Sequence, residues 1–173
     1  MRRIAWIAVA GLAAAQLWGA GFNSKQVAES ATWVVHADLE SLRQTQLGGF
    51  LMSKLTTGDA ANKLAAFAAV FGFDPRQDLN TVTLYGKSKD PTHSVVLAGG
   101  KFNESQLVTL LKANGTYQSL TFGRYTLHSW IDADKAAEGR KYGAFHPSGV
   151  ILASRGQEAL QEALEVLDGS RGA

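Results

Sequence analysis

Four side chains have the type and setting to do chemistry: His36 and Asp38, two apart in the run TWVVHADL at 32–39, and His93 and His128 in later apolar runs. Residues two apart on a strand point the same way, about 7 Å from one another, so His36 and Asp38 are expected to share a face. If the strands carrying His93 and His128 lay alongside, two or three imidazoles and a carboxylate would suit zinc or another borderline metal. The same pair would also serve a metal- or carboxylate-dependent hydrolase. The sequence contains no H-x-H or H-x-x-x-H spacing, and a strand histidine satisfied by its neighbours is the simpler reading. The four are therefore ligand-binding candidates, with no cofactor, no metal and no catalytic residue expected.

Other groupings resolve into structural roles. Asp74 and Asp78 flank Arg76 and could be read as paired carboxylates for acid and base work. In a turn, however, Asp74 bonds the backbone ahead, Pro75 fixes the first dihedral and Arg76 pairs with an aspartate. Asp74, Pro75, Arg76 and Asp78 are expected to be a structural turn. Asp132, Asp134 and Glu138 have the oxygens of a calcium loop, but the glycine and glutamate of an EF-hand are missing and Lys135, Arg140 and Lys141 intervene. Ser148 follows His146 in a turn between two expected strands, where a nucleophile elbow needs G-x-S-x-G between strand and helix. Gly99-Gly100-Lys101 lacks the spacing of a phosphate loop.

These side chains need a scaffold, and the 173-residue chain supplies the material for one domain. With no cysteine, a disulfide framework and a thiolate metal site are excluded. Basic residues number 17 and acidic residues 15, and two of the basic ones, Arg2 and Arg3, stand in the leader. The balance gives no electrostatic ground for nucleic acid as a partner. Met1-Arg2-Arg3, the apolar run at 4–12 and Ala13-Ala14-Ala15 have the three parts of a signal peptide, so export to the periplasm or medium after cleavage at Ala15 is expected. An uncleaved leader would instead make the chain an anchored envelope component. Gln16 and the glycines after it interrupt the roughly 20 apolar residues a span requires.

The expected layout is a signal peptide at 1–15, a polar connector at 16–30, one α+β domain at 31–169 and a short tail at 170–173. Strands are expected near 32–39, 81–85, 93–98, 117–122, 125–131, 142–145 and 150–153. Helices are expected from Ser41, from Asp59 to a left-handed stop at Gly72, from an Asn103 cap with Gln106, and from Ser154 with Gln157. Phe67 and Leu110 are expected as core anchors, and Glu158, Glu162 and Glu165 on the solvated side of the last helix. The order contains a split βαβ unit, which predicts an antiparallel sheet with helices on one face around a ferredoxin-like βαββαβ core, plus further strands and a C-terminal helix.

The stretches WVVHADLESLRQTQLGGFL, LAAFAAVFGFDPRQDLNTVTLYG, KFNESQLVTLLKA and YGAFHPSGVILASRGQEALQEALEVLDG resemble uncharacterised exported proteins of planctomycete- and verrucomicrobia-type bacteria. The most specific piece is Phe73-Asp74-Pro75-Arg76 leading to Leu84-Tyr85-Gly86. The resemblance covers nearly all of the mature chain. It implies no catalytic residue, and it implies relatives that continue past the Leu-Asp-Gly at 167–169.

The expected function is an exported, non-enzymatic binding or structural module of unknown partner. Its contact surface is expected on the helix-free sheet face, because Val95, Val96 and Leu97 make both faces of the third strand apolar. A homodimer through that face is expected, with a membrane contact only if the leader is retained.

Overall fold

The computed structural model describes residues 21–173; the expected leader and its cleavage site lie outside the described residues. Strand β1 (Trp33–Asp38) leads into three helices, α1 (Leu39–Arg43), α2 (Gln46–Leu55) and α3 (Gly58–Phe71). A hairpin of β2 (Leu79–Gly86) and β3 (Ser94–Gly100) follows, then α4 (Glu104–Lys112). Strands β4 (Gln118–Phe122), β5 (Tyr125–Trp130), β6 (Lys141–His146) and β7 (Val150–Ser154) run as a meander into α5 (Gln157–Leu167). The seven strands form one sheet in the order β1-β2-β3-β7-β6-β5-β4, and every neighbouring pair is antiparallel.

The α+β class and the antiparallel sheet are as expected, but a ferredoxin-like core is not seen. That core separates the two strands of each βαβ unit by a third strand inserted between them. Here β1 and β2, joined through α1, α2 and α3, lie side by side in antiparallel register from Trp33 opposite Gly86 to Asp38 opposite Thr81. Helix α4 carries the chain from β3 to the far edge, and the meander returns β7 to the side of β3.

Local signals explain the element ends. Gly72 at φ 69° stops α3 with its N–H on the Ala68 carbonyl, and Asn103 accepts the Gln106 N–H at 3.1 Å to start α4. The first helix begins before Ser41, because Asp38 accepts the Ser41 N–H at 2.8 Å and is itself the cap. Gly156, and not Ser154, is the cap residue of α5; the Ser154 hydroxyl donates to the Ser94 carbonyl on the neighbouring strand and accepts the Gly156 N–H at 3.0 Å.

The cross-strand register sorts the sheet into two unlike faces. On one, Tyr85, Val95, Leu97, Leu127, Ala144 and Leu152 are buried beneath Leu160, Ala163, Leu164 and Val166 of α5. Leu127, Leu152, Leu160 and Leu164 are fully enclosed, each contributing roughly 1.5–3 kcal/mol by burial. On the other face stand Trp33, Val35, Leu84, Val96, Ala153 and Trp130. Helix α4 and the end of α3 lie over the β5–β7 side of it across a cavity, so helices flank both faces rather than one. Over β1 and β2 it is open, with Val35 59% exposed and Leu84 36%. Phe67 and Leu110 are only half-buried, so the anchors are in α5 and not in α3 and α4.

The flanking segments belong to the domain. Part of the expected connector packs on the α5 core through Val27 and Ala28, followed by Ala31 of the expected domain, with Ala28 4% exposed. The Gly172 carbonyl in the expected tail accepts the Glu29 N–H. Together they cover the outer side of α5, which is why Glu162 is buried where the helix periodicity placed it in solvent. Among the described residues no helix is long and apolar enough to cross a membrane.

Candidate binding groove

The four strand candidates do not converge. His36 and Asp38 share the α5-side face of β1, as their spacing implied, but both are engaged in the fold. His36 Nδ1 bonds Thr83 Oγ1 at 2.8 Å and its ring meets the edge of Phe22 at 5.5 Å, leaving Nε2 buried without a partner. The Asp38 carboxylate takes the Ser41 N–H at 2.8 Å and the Ser41 hydroxyl at 2.6 Å as the cap of α1. His93 lies not in β3 but at the end of an exposed 3-10 turn, Pro91–His93, with Nδ1 3.0 Å from Ser88 Oγ. His128 is buried on the opposite face, on β5, with four strands between it and β1, against Tyr117 Oη at 2.9 Å and the edge of Phe145. Burial pushes its pKa down. Among the described residues no three His, Asp or Glu side chains are grouped to hold a metal.

The turn at 74–78 has the geometry its sequence implies. Asp74 accepts the Arg76 N–H at 2.9 Å and the Arg76 guanidinium at 2.7–3.1 Å, which holds its pKa down, and Asp78 accepts the Asp74 N–H at 2.7 Å. One connection was illegible in sequence. Ser148 Oγ lies 2.7 Å from His146 Nδ1, and His146 Nε2 lies 3.3 Å from Asp168, which also accepts Tyr125 Oη at 2.6 Å and pairs with Arg124. The order is that of a nucleophilic triad. Yet the Ser148 N–H also points at Nδ1, at 3.2 Å, and the Gly149 N–H is spent on the His146 carbonyl, so no oxyanion site is assembled at the turn. The array ties the β6–β7 hairpin to the end of α5.

The open face supplies an extended, mainly apolar concave surface. Its floor is a row set by register: Leu84, Val96, Ala153 and Gly143 on β2, β3, β7 and β6. Two tryptophans wall it, each lying on a glycine of the adjacent strand. A Cβ on Gly86 would stand 2.8 Å from the Trp33 ring, and one on Gly143 would stand 3.4 Å from the Trp130 ring. Each indole N–H is satisfied, Trp33 by the Ser88 carbonyl and Trp130 by Asp132, both at 2.8 Å, so the rings are held in place. With β3 and β7 between the two glycine-bearing strands, the walls are about 14 Å apart.

The outer part of this groove is a cavity of about 500 Å³ whose rim carries Lys89, Lys135, Lys141 and Arg155 against Glu138. Lys141 is paired with Asp132 and Arg155 with Glu138; Lys89 and Lys135 make no ion pair among the described residues. The Lys141 contact holds the Asp132 pKa down. Past Trp130 and Ala153 a second cavity of about 400 Å³ runs beneath α4, lined by Phe71, Phe73, Leu107, Leu110, Phe145 and Ile151 among others. Each volume lies within the range of small-molecule pockets. The strand alternation gave the apolar third strand, but nothing in sequence showed which tryptophan would lie on which glycine. No protein-family model, no curated protein and no solved structure matches this chain.

Proposed function

We propose that the protein is an exported, non-enzymatic binding module that binds through the tryptophan-walled groove on the open face of its sheet. The observation that carries this reading is the pair of indoles, fixed by hydrogen bonds over glycines on either side of an apolar strip that is open over β1 and β2. An apolar concave surface with few, fixed polar groups is the usual form of a ligand site. A hydrolase built on His36 and Asp38 loses its support, because Asp38 caps a helix and His36 is bonded to Thr83. A homodimer through this face is the competing occupant, and the variant below separates the two.

The neutral apolar dye N-phenyl-1-naphthylamine tests the groove. It should bind the full mature chain and quench tryptophan emission, and Val96→Lys, on the half-exposed floor, should abolish binding without lowering the melting temperature. Dye binding that survives Val96→Lys would remove the groove from consideration, and a dimer by light scattering that Val96→Lys dissociates would make a second copy the occupant. For export, N-terminal sequencing should read Gln16 in the exported protein; Met1 retained in a membrane fraction would support the anchored form instead.

A further inference from the structure

We infer that the groove takes a fatty carboxylate, its acyl chain in the cavity beneath α4 and its carboxylate at the lysine rim. The inference rests on the reading of the open face as a binding surface and adds the chemistry of the ligand. The two cavities share Trp130 and Ala153 in their linings and differ in charge, since cations line only the outer one. The inner one is walled by aromatic and aliphatic side chains from α3, α4 and β5–β7, with Asp132 and Asn114 its polar lining side chains. A polar ligand group entering it would lose its water without gaining partners. Hydrocarbon would gain by leaving water there.

The outer cavity asks for the reverse at its edge. Lys141 and Arg155 are committed to Asp132 and Glu138, whereas Lys89 and Lys135 are exposed and have no carboxylate partner among the described residues. Four cations face two carboxylates around this part of the groove, so its field favours an anion. A single molecule that satisfies both regions carries one negative head and one flexible apolar tail.

The alternatives meet specific obstacles. An acidic peptide would bring the charge, but over Leu84, Val96 and Ala153 its backbone would meet strands β2, β3 and β7, each already bonded on both sides. The peptide N–H and C=O groups would have no ladder to join. A second copy presents four cations and two carboxylates at this face and so lacks the net negative group the rim favours. A cationic amphiphile matches the tail cavity and is repelled at the mouth.

The test is displacement of N-phenyl-1-naphthylamine from the full mature chain by dodecanoate, below its critical micelle concentration. Dodecyltrimethylammonium is the control, with the same tail and the opposite head. Dodecanoate should bind at least tenfold more tightly than the control. Affinity should rise with chain length from octanoate to dodecanoate by about fourfold per added CH₂, the factor equivalent to burying one methylene. The double variant Lys89→Glu/Lys135→Glu changes two exposed side chains; it should keep the wild-type melting temperature, lose at least tenfold for dodecanoate and gain for the cation.

Equal affinity for the two heads, an affinity insensitive to chain length, or no effect of the charge reversal would each overturn the assignment. Stronger displacement by a deca-glutamate peptide than by dodecanoate would also overturn it and give the site to acidic peptides. If the dye binds and Val96→Lys abolishes it while dodecanoate does not compete, the groove stands and the fatty carboxylate falls. If neither dye nor dodecanoate binds, both readings fall.

Discussion

Replacing Lys87 by Met should destabilise the fold through Glu162, a residue 75 positions away. The Glu162 side chain is 8% exposed and accepts Lys87 Nζ at 2.7 Å, Ser30 Oγ at 3.0 Å and Arg171 at 3.2 Å. Burial pushes its pKa up, but the bonds from Lys87 and Ser30 and the charges of Lys87 and Arg171 outweigh it and hold the group below its ordinary 4.5. Breaking a fully buried pair by removing one partner costs about 3–5 kcal/mol. Lys87 is 44% exposed, so water screens part of the loss, and Arg171 remains in place; the expected cost at pH 7 is about 1–2 kcal/mol. In a domain of this size that lowers the melting temperature by about 2–8 °C. Because the folded pKa is depressed, the stabilisation is fully present above pH 4.5 and is lost as pH falls through the folded value. The gap between wild type and Lys87→Met should therefore close on acidification, and adding Glu162→Gln to Lys87→Met should recover stability at pH 7. Urea titrations at pH 7, 5 and 3 check all three points. A gap that stays constant with pH, or a double variant no better than the single one, would show that Lys87 acts through packing and refute the electrostatic account.

Tyr85→Phe should leave the fold unharmed or stabilise it by up to about 1 kcal/mol in chemical denaturation, because the Tyr85 hydroxyl is buried without a partner and burial keeps the phenol neutral. His128→Gln should flatten the stability profile between pH 7 and 5. Folded His128 resists protonation, so wild-type stability is present above the unfolded value near 6.5 and falls as the unfolded chain takes up that proton, which thermal melts across this range would read. Leu164→Ala should cost about 2–5 kcal/mol, and Phe67→Ala, at a half-buried position, clearly less. An equal loss by urea titration would mean that α3 anchors the core as firmly as α5.

Local signals were legible where the chain solves a problem within a few residues. The stop at Gly72, the cap at Asn103 and the turn at 74–78 each bond within their own segment, so residue type and spacing sufficed. The apolar third strand was equally readable: Val95 and Leu97 serve the α5 core while Val96 floors the groove. What failed needed partners far along the chain. Periodicity placed Glu162 in solvent because it describes one helix against one layer, whereas α5 has the sheet on one side and the segment around Ala28 and Ser30 on the other. Trp130 over Gly143 and Trp33 over Gly86 depend on register, which a single strand does not encode. A net charge near balance also hid the local excess of lysine, since Lys89 and Lys135 come from loops 46 residues apart.

The division of labour between the two faces leaves the groove outside the buried core. Every buried apolar side chain among the described residues lies on the α5 side of the sheet, from Ala28 through Tyr85, Leu127 and Leu152 to Val166. Stability of the sheet therefore does not require the other face to be filled. Helices α3 and α4 have no fully buried residue and stand off that face across the inner cavity, so their docking is weak by construction. A ligand chain entering beneath α4 would complete the contacts that Leu107, Leu110 and Phe71 leave unmade, and it would do so without disturbing the core. That arrangement predicts a protein whose folding and binding separate cleanly under mutation: Leu164 belongs to the first, Val96 and the lysine rim to the second.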